Sequence, residues 1–250
     1  MFSVTQRIKN IKQPRGGYIN PKKFEITSLN DKIELHDKEN IHAGLIGLCI
    51  DYMTRYMMGT PVEEAFKISL FGAEKLGELK ESMKILSKIK GIDKSSIINS
   101  CKLVGYDVCF RAGIEFYKPV QEISPDQNTI FNIKTMINRS IIFWEKYGPI
   151  IKDGFTFMGG YTDIVSSGDG DYLTKDTLWD FKVSNKGPTS AHTLQLLMYY
   201  LLGIHSIHEE FHSATQLGIF NPRLNNVYLL NISDIPSNII KEVSEKVIGY

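Results

Sequence analysis

The feature that most constrains this chain is a change of hydrophobic period near residue 150. Before it, Phe66, Leu70, Ala73, Leu76, Leu79, Met83 and Leu86 recur every three or four residues. That spacing lines up side chains on one face of a helix. After Gly154, the segments FTFMGGYTDIVSS and TLWDFKVS alternate and are rich in β-branched and aromatic residues, the two-residue period of a strand. A chain with both periods buries a sheet face against helices, so the expected class is α/β or α+β with a mostly helical N-terminal half.

Turn signals divide the pattern further. Residues 40–58 read as a helix that Gly59-Thr60-Pro61 breaks, and 61–90, 93–118 and 127–147 continue in the helical style. Residues 155–184 read as a β-hairpin with Ser-Gly-Asp-Gly-Asp at 167–171 as its turn. Thr189 to Leu202 reads as a helix, LGIFNP and VYLLNIS as a strand pair around 223–226, and 235–248 as a short closing helix. The expected organisation is a basic N-terminal arm at 1–39 and a single domain at 40–250. Its helical part covers 40–150, and a sheet and helix cover 151–250.

Composition removes several classes. With 11% aromatic residues and a net charge of +1, the chain is not of the disordered type. Three cysteines in 250 residues do not make a disulfide scaffold. The longest apolar stretch, Leu194 to Ile204, is interrupted by Gln195 and falls short of the ~20 residues a bilayer span needs. The N-terminus lacks the apolar run of a signal peptide. These readings predict a soluble cytoplasmic protein without a membrane partner. The net charge hides a local bias: Arg7, Lys9, Lys12, Arg15, Lys22 and Lys23 fall within residues 1–24, which hold no acid. Such an arm can neutralise phosphates or simply be a solvated terminus.

The residues that carry chemistry run from Gly160 to Tyr199. Asp163 falls on the first expected strand, and Asp180-Phe181-Lys182 on the second. Alternation sends Asp180 and Lys182 to one face. Gln195 and Tyr199 stand four apart on the next helix, hence on one side of it. Two convergent carboxylates suit Mg²⁺ or Mn²⁺, which activate water and polarise phosphoryl oxygens. A neighbouring lysine can orient that water or neutralise developing charge.

In this order, Asp163, Asp180-x-Lys182 and Gln195-x-x-x-Tyr199 resemble the PD-(D/E)XK nuclease superfamily, particularly its RecB-like branch. The resemblance covers about 45 residues. It implies an α/β fold, a restriction-endonuclease-like core with a central mixed sheet flanked by helices, and a metal-dependent deoxyribonuclease, with DNA rather than RNA as substrate. Asp163 and Asp180 would bind the metal, Lys182 would activate water, and Gln195 and Tyr199 would position substrate. The family also implies a backbone carbonyl ligand, here that of Phe181, and an upstream helical motif. Gly47-Leu-Cys-Ile-Asp51 is the candidate for that motif, with Asp51 as a third metal-side residue and His42 as the other choice. Asp51 can instead pair with Arg55 at i,i+4; otherwise Arg55, like Arg223 and the basic arm, is a candidate phosphate contact. Some family members carry an iron–sulfur cluster on four cysteines. Cys49, Cys101 and Cys109 show no such spacing, and no cluster is expected. The alternative is a catalytically silent DNA- or protein-binding module of the same fold. A protein partner or a homo-oligomer is compatible with either reading.

Two other motifs compete. His208-Glu209-Glu210-Phe211-His212 matches H-E-x-x-H, which on a helix can bind Zn²⁺. The charged Glu210 and the approach through Gly203 and Ser206 favour a polar turn instead. Asp169-Gly170-Asp171 resembles the start of a calcium loop but lacks the acid at its twelfth position, and reads as a turn.

Overall fold

The computed structural model describes residues 1–250. In chain order, the elements of the N-terminal part are β1 (Phe2–Ser3), α1 (Val4–Lys9), β2 (Glu25–Ser28), α2 (Ala43–Met57), α3 (Val62–Ala65), α4 (Lys67–Leu76) and α5 (Leu79–Leu86). Then come α6 (Lys94–Leu103), α7 (Asp107–Arg111), α8 (Gln127–Tyr147), β3 (Lys152–Thr156), β4 (Val165–Ser167) and β5 (Asp169–Leu173). The chain closes with β6 (Thr177–Phe181), α9 (Ser190–Ile204), β7 (Gln216–Asn221), β8 (Asn226–Asn231) and α10 (Ser237–Glu242). No helix is long and apolar enough to cross a membrane.

The protein is α/β, and its chain divides into two compact units. One, the sheet unit, consists of Met1–Asn30 and Trp144–Tyr250; the other, the helical unit, is Asp31–Phe143. This division differs from the expected arm plus single domain. Residues 1–30 are built into the sheet unit: Val4, Ile19 and Phe24 are buried, and β2 pairs antiparallel with β8. That pairing joins residues some 200 positions apart, and no local pattern encodes it. Arg7, read as part of a phosphate-binding arm, donates from Nε to Val247 O and from Nη2 to Lys246 O, each at 2.8 Å. It satisfies carbonyls at the C-terminal end of a helical segment, which otherwise lack partners.

The sheet unit is organised by six strands in the order β2-β8-β7-β6-β5-β3. β6 and β7 run parallel, and every other neighbouring pair is antiparallel. Parallel neighbours need a crossover, and α9 supplies it. Thr189 caps that helix with a capping box. Its apolar residues Leu194, Leu197, Met198 and Leu201 join Leu173, Leu178, Leu217 and Ile219 of the strands in one core. Other aromatic residues of the unit cluster too: Trp144 stacks on Phe181 at 5.5 Å between ring centroids, and Tyr172 lies 4.7 Å from Phe181.

One glycine is dictated by packing. Gly218 pairs with Trp179 across β6 and β7, and a Cβ at Gly218 would fall 2.3 Å from the Trp179 ring. Gly218→Ala is therefore expected to destabilise the protein by about 1–3 kcal/mol through overpacking. Urea unfolding followed by tryptophan fluorescence measures this, and an unchanged midpoint would contradict the packing argument.

The hairpin around β6 departs from the sequence reading. Its turn is Thr174–Asp176, closed by Thr174 N–H donating to Thr177 O at 3.0 Å. The strand opposite β6 is thus β5, built from the residues read as the turn and the start of a calcium loop. Alternation alone does not choose between turn clusters, and Gly170 is accommodated in β5 because the Phe155 ring lies where its Cβ would be. The helices α2 and α8 form where periodicity places them. The segment 93–118, read as helical in style, forms α6 and α7 with 3₁₀ turns at Val104–Tyr106 and Ile114–Phe116.

Candidate metal and phosphate site

The site is built on the C-terminal half of β6. Asp180 has a side chain only 2% exposed, and Lys182 Nζ lies 2.8 Å from each of its carboxylate oxygens. Hydrogen-bond geometry is met at Oδ1 only, so Oδ2 is buried without a hydrogen bond. The Lys182 backbone N–H donates to Phe220 O, which continues the β6–β7 ladder and holds Lys182 in register.

The second carboxylate is Asp171, which the sequence reading placed in a turn. The pairs Tyr172–Trp179 and Leu173–Leu178 set the register of β5 on β6; one step further, Asp171 stands opposite Asp180 on the same face. Asp171 Oδ2 accepts the Phe181 backbone N–H at 2.8 Å. Asp169 lies two residues before Asp171 on β5. Like charges directly opposite on a sheet are destabilising unless a cation sits with them. Lys182 supplies one positive charge for two carboxylates.

The helix α9 brings the next layer. Gln195 Nε2 donates to Tyr199 Oη at 2.8 Å. Burial pushes the Tyr199 phenol well above its ordinary range, with Asp180, Asp171 and Asp169 adding to the effect and the Gln195 bond opposing it. The phenol is therefore neutral, with a proton for a nearby oxygen acceptor. His192, one turn before Gln195, is shifted the other way: burial first, then Lys182, keep its imidazole below the usual histidine range, and Asp180 opposes them. Sequence reasoning missed both Asp171 and His192. The available signal for Asp171 was its place three residues before Thr174, which mirrors that of Asp180 three residues after Thr177. For His192 it was the three-residue spacing from Gln195.

Asp163 is not part of this hairpin. It is exposed in the turn before β4, and β4 pairs with β1 in a separate two-stranded sheet. The Thr162 hydroxyl accepts the backbone N–H of Ile164 and Val165 and donates to Ile248 O, which bends the chain where an extended strand was expected. Arg223 lies just beyond β7, and β7 runs parallel to β6, so Arg223 and Lys182 emerge at the same end of the sheet. The Asn221 side chain ties that end to the loop after Lys182, donating to Ser184 O at 2.8 Å.

The upstream candidates belong to the helical unit. Asp51 and Arg55 form a two-pronged pair at 2.8 and 3.1 Å, the i,i+4 arrangement that competes with a metal role. His42 caps α2, with Nδ1 accepting Gly44 N–H at 3.1 Å. This unit also holds a cleft of about 740 Å³ lined in part by Leu45, Leu48, Val108, Arg111 and Phe116. The cleft's buried acid, Asp107, accepts from Tyr52 and Ser69 hydroxyls and pairs with Arg111. Cys49, Cys101 and Cys109 are buried thiols. In the sheet unit, the H-E-x-x-H segment is a 3₁₀ turn from Glu209 to Ser213 with His208 outside it, so the spacing of a zinc-binding α-helix is lost.

No three His, Cys, Asp or Glu side chains converge as a ready-made metal cage. The donor set that fits a divalent cation is Asp171 and Asp180, with the Asp180 Oδ2 left without a hydrogen bond. Two carboxylates and otherwise water or substrate oxygens is a coordination that Mg²⁺ accepts. No family model, curated protein or solved structure matches the chain.

Proposed function

We propose that this protein is a metal-dependent phosphodiester hydrolase acting on DNA, in the manner of the PD-(D/E)XK nucleases. The observation that carries the reading is the Asp171–Asp180 pair on one face of the β5–β6 hairpin, with Lys182 on Asp180 and the Gln195–Tyr199 pair on the helix that follows. The mixed sheet and the strand–strand–helix succession β5, β6, α9 are compatible with it. Mg²⁺ or Mn²⁺ held by Asp171 and Asp180 would polarise a phosphoryl oxygen and acidify a bound water.

The chain's own groups do the rest. Lys182 Nζ, fixed by Asp180, is placed to orient the attacking water and to offset charge growing on the phosphate. Tyr199, neutral and held by Gln195, offers a directed hydroxyl. Arg223, at the same end of the sheet, meets a neighbouring phosphate of the strand. Asp163, Asp51 and Arg55 are not needed in this arrangement.

The test is cleavage of circular single-stranded, circular double-stranded and linear DNA with Mg²⁺, Mn²⁺ or EDTA. Cutting that needs metal and falls about a hundredfold or more in Lys182→Met supports the proposal. DNA binding without cutting under any metal would replace it with the silent binding module.

A further inference from the structure

The capping of α9 fixes more than a helix end. His192 is the third residue of that helix, and its Nδ1 accepts the Thr189 backbone N–H at 3.3 Å, while the Thr189 hydroxyl accepts the His192 N–H at 3.4 Å. A backbone N–H can only donate, so Nδ1 carries the lone pair. In a neutral imidazole the single ring proton is then on Nε2. The cap thus sets both the tautomer and the ring orientation. Glu or Gln is the usual residue at this position of a capping box, and either would satisfy Thr189. Histidine does so and adds a directed N–H donor on its far side.

The ring shares a side of α9 with the residues of the site. His192, Gln195 and Tyr199 fall at i, i+3 and i+7, one side of α9, and Gln195 and Tyr199 are already joined by a hydrogen bond. Burial and Lys182 keep the His192 ring neutral, so it acts as a hydrogen-bond donor rather than as a second cation.

Building on the hydrolase reading, we propose that His192 is a substrate-binding residue whose Nε2–H holds a non-bridging oxygen of the scissile phosphate, alongside Lys182. A fixed donor aimed at developing negative charge contributes roughly 10²–10³ in rate in comparable oxyanion sites.

Four proteins test this: the parent, His192→Gln, His192→Glu and Thr189→Ala. Three readouts are taken: thermal melting, single-turnover cleavage with Mg²⁺, and anisotropy of a fluorescein-labelled oligonucleotide in Ca²⁺. Gln and Glu both preserve the cap, so both are expected to melt near the parent, whereas Thr189→Ala melts lower. Cleavage is expected to order differently. Thr189→Ala stays within about threefold of the parent, Gln keeps roughly a tenth, and Glu, which has no donor, falls below about a hundredth. Cleavage that follows the melting order, with both His192 variants equal to the parent, would reduce His192 to a cap and overturn the proposal. If the parent cuts nothing, the hydrolase reading fails, and anisotropy decides the phosphate contact by itself. A tenfold weaker oligonucleotide affinity in His192→Glu, with Gln weakened less, sustains it; equal affinities, or none in the parent, overturn it.

Discussion

Asp171→Asn is expected to lower metal-dependent cleavage by about a thousandfold or more, about 4 kcal/mol of transition-state stabilisation. Asp163→Asn is expected to stay within about threefold of the parent. The contrast follows from placement: the register of β5 on β6, continued by one residue, brings Asp171 beside Asp180, and Asp171 Oδ2 accepts the Phe181 N–H, while Asp163 is exposed in a turn outside that hairpin. Single-turnover rates with Mg²⁺ measure it, with Asp180→Asn as the companion that should match Asp171→Asn. A stability readout accompanies the kinetics. Without metal, two carboxylates face one another, so Asp171→Asn should raise the unfolding free energy by up to about 1 kcal/mol. An asparagine Oδ1 can still accept the Phe181 N–H. The opposite kinetic result, with Asp163→Asn inactive and Asp171→Asn active, would return the metal site to the loop before β4.

The second large effect concerns the helical unit. Arg139 reaches Asp31 with Nε on Oδ2 and Nη2 on Oδ1, both at 2.8 Å, and Nη2 also meets Ile33 O at 2.7 Å. The Arg139 side chain is 6% exposed and that of Asp31 22%. Truncating one partner strands the other's charge away from water. Arg139→Met is therefore expected to cost about 3–5 kcal/mol, which can unfold this unit at ordinary temperature. The Arg139 hydrogen bonds hold the Asp31 carboxyl below the usual aspartate range, against the opposing effect of burial. A lowered folded-state pKa means that this stabilisation is present above the ordinary Asp value. It is lost as the pH falls through the depressed one. Chemical unfolding of parent and Arg139→Met from pH 7 downwards should show their difference shrinking only in strong acid. A difference that is small at pH 7 would mean the pair is solvated and contributes little.

Much of the local structure was legible because it depends on short-range pattern. Apolar spacing located α2 and α8, the strand composition located β6 and the β7–β8 hairpin, and Asp180-x-Lys182 on β6 followed from the two-residue period. The i,i+4 pairing of Asp51 with Arg55 was likewise readable from sequence as one of two outcomes. The errors arose where two local signals competed. Both Ser167–Asp171 and Thr174–Asp176 look like turns, and one chain segment cannot say which one closes the hairpin against β6. Moving the turn by a few residues changed the partner strand from the Asp163 segment to β5, and with it the second acid.

The sequence by itself determined the presence of both helices and strands, the positions of α2 and α8, the carboxylate and lysine of β6, and the Gln195–Tyr199 pair that follows. These depend on periods of two and 3.6 residues, which neighbours in the chain set. Only the tertiary structure decided that residues 1–30 complete the sheet unit and that Asp171 rather than Asp163 lies beside Asp180. Each of these is a choice among pairings of similar local merit. Register and burial in the folded chain settle such choices, because a strand shifted by one residue turns every side chain to the other face.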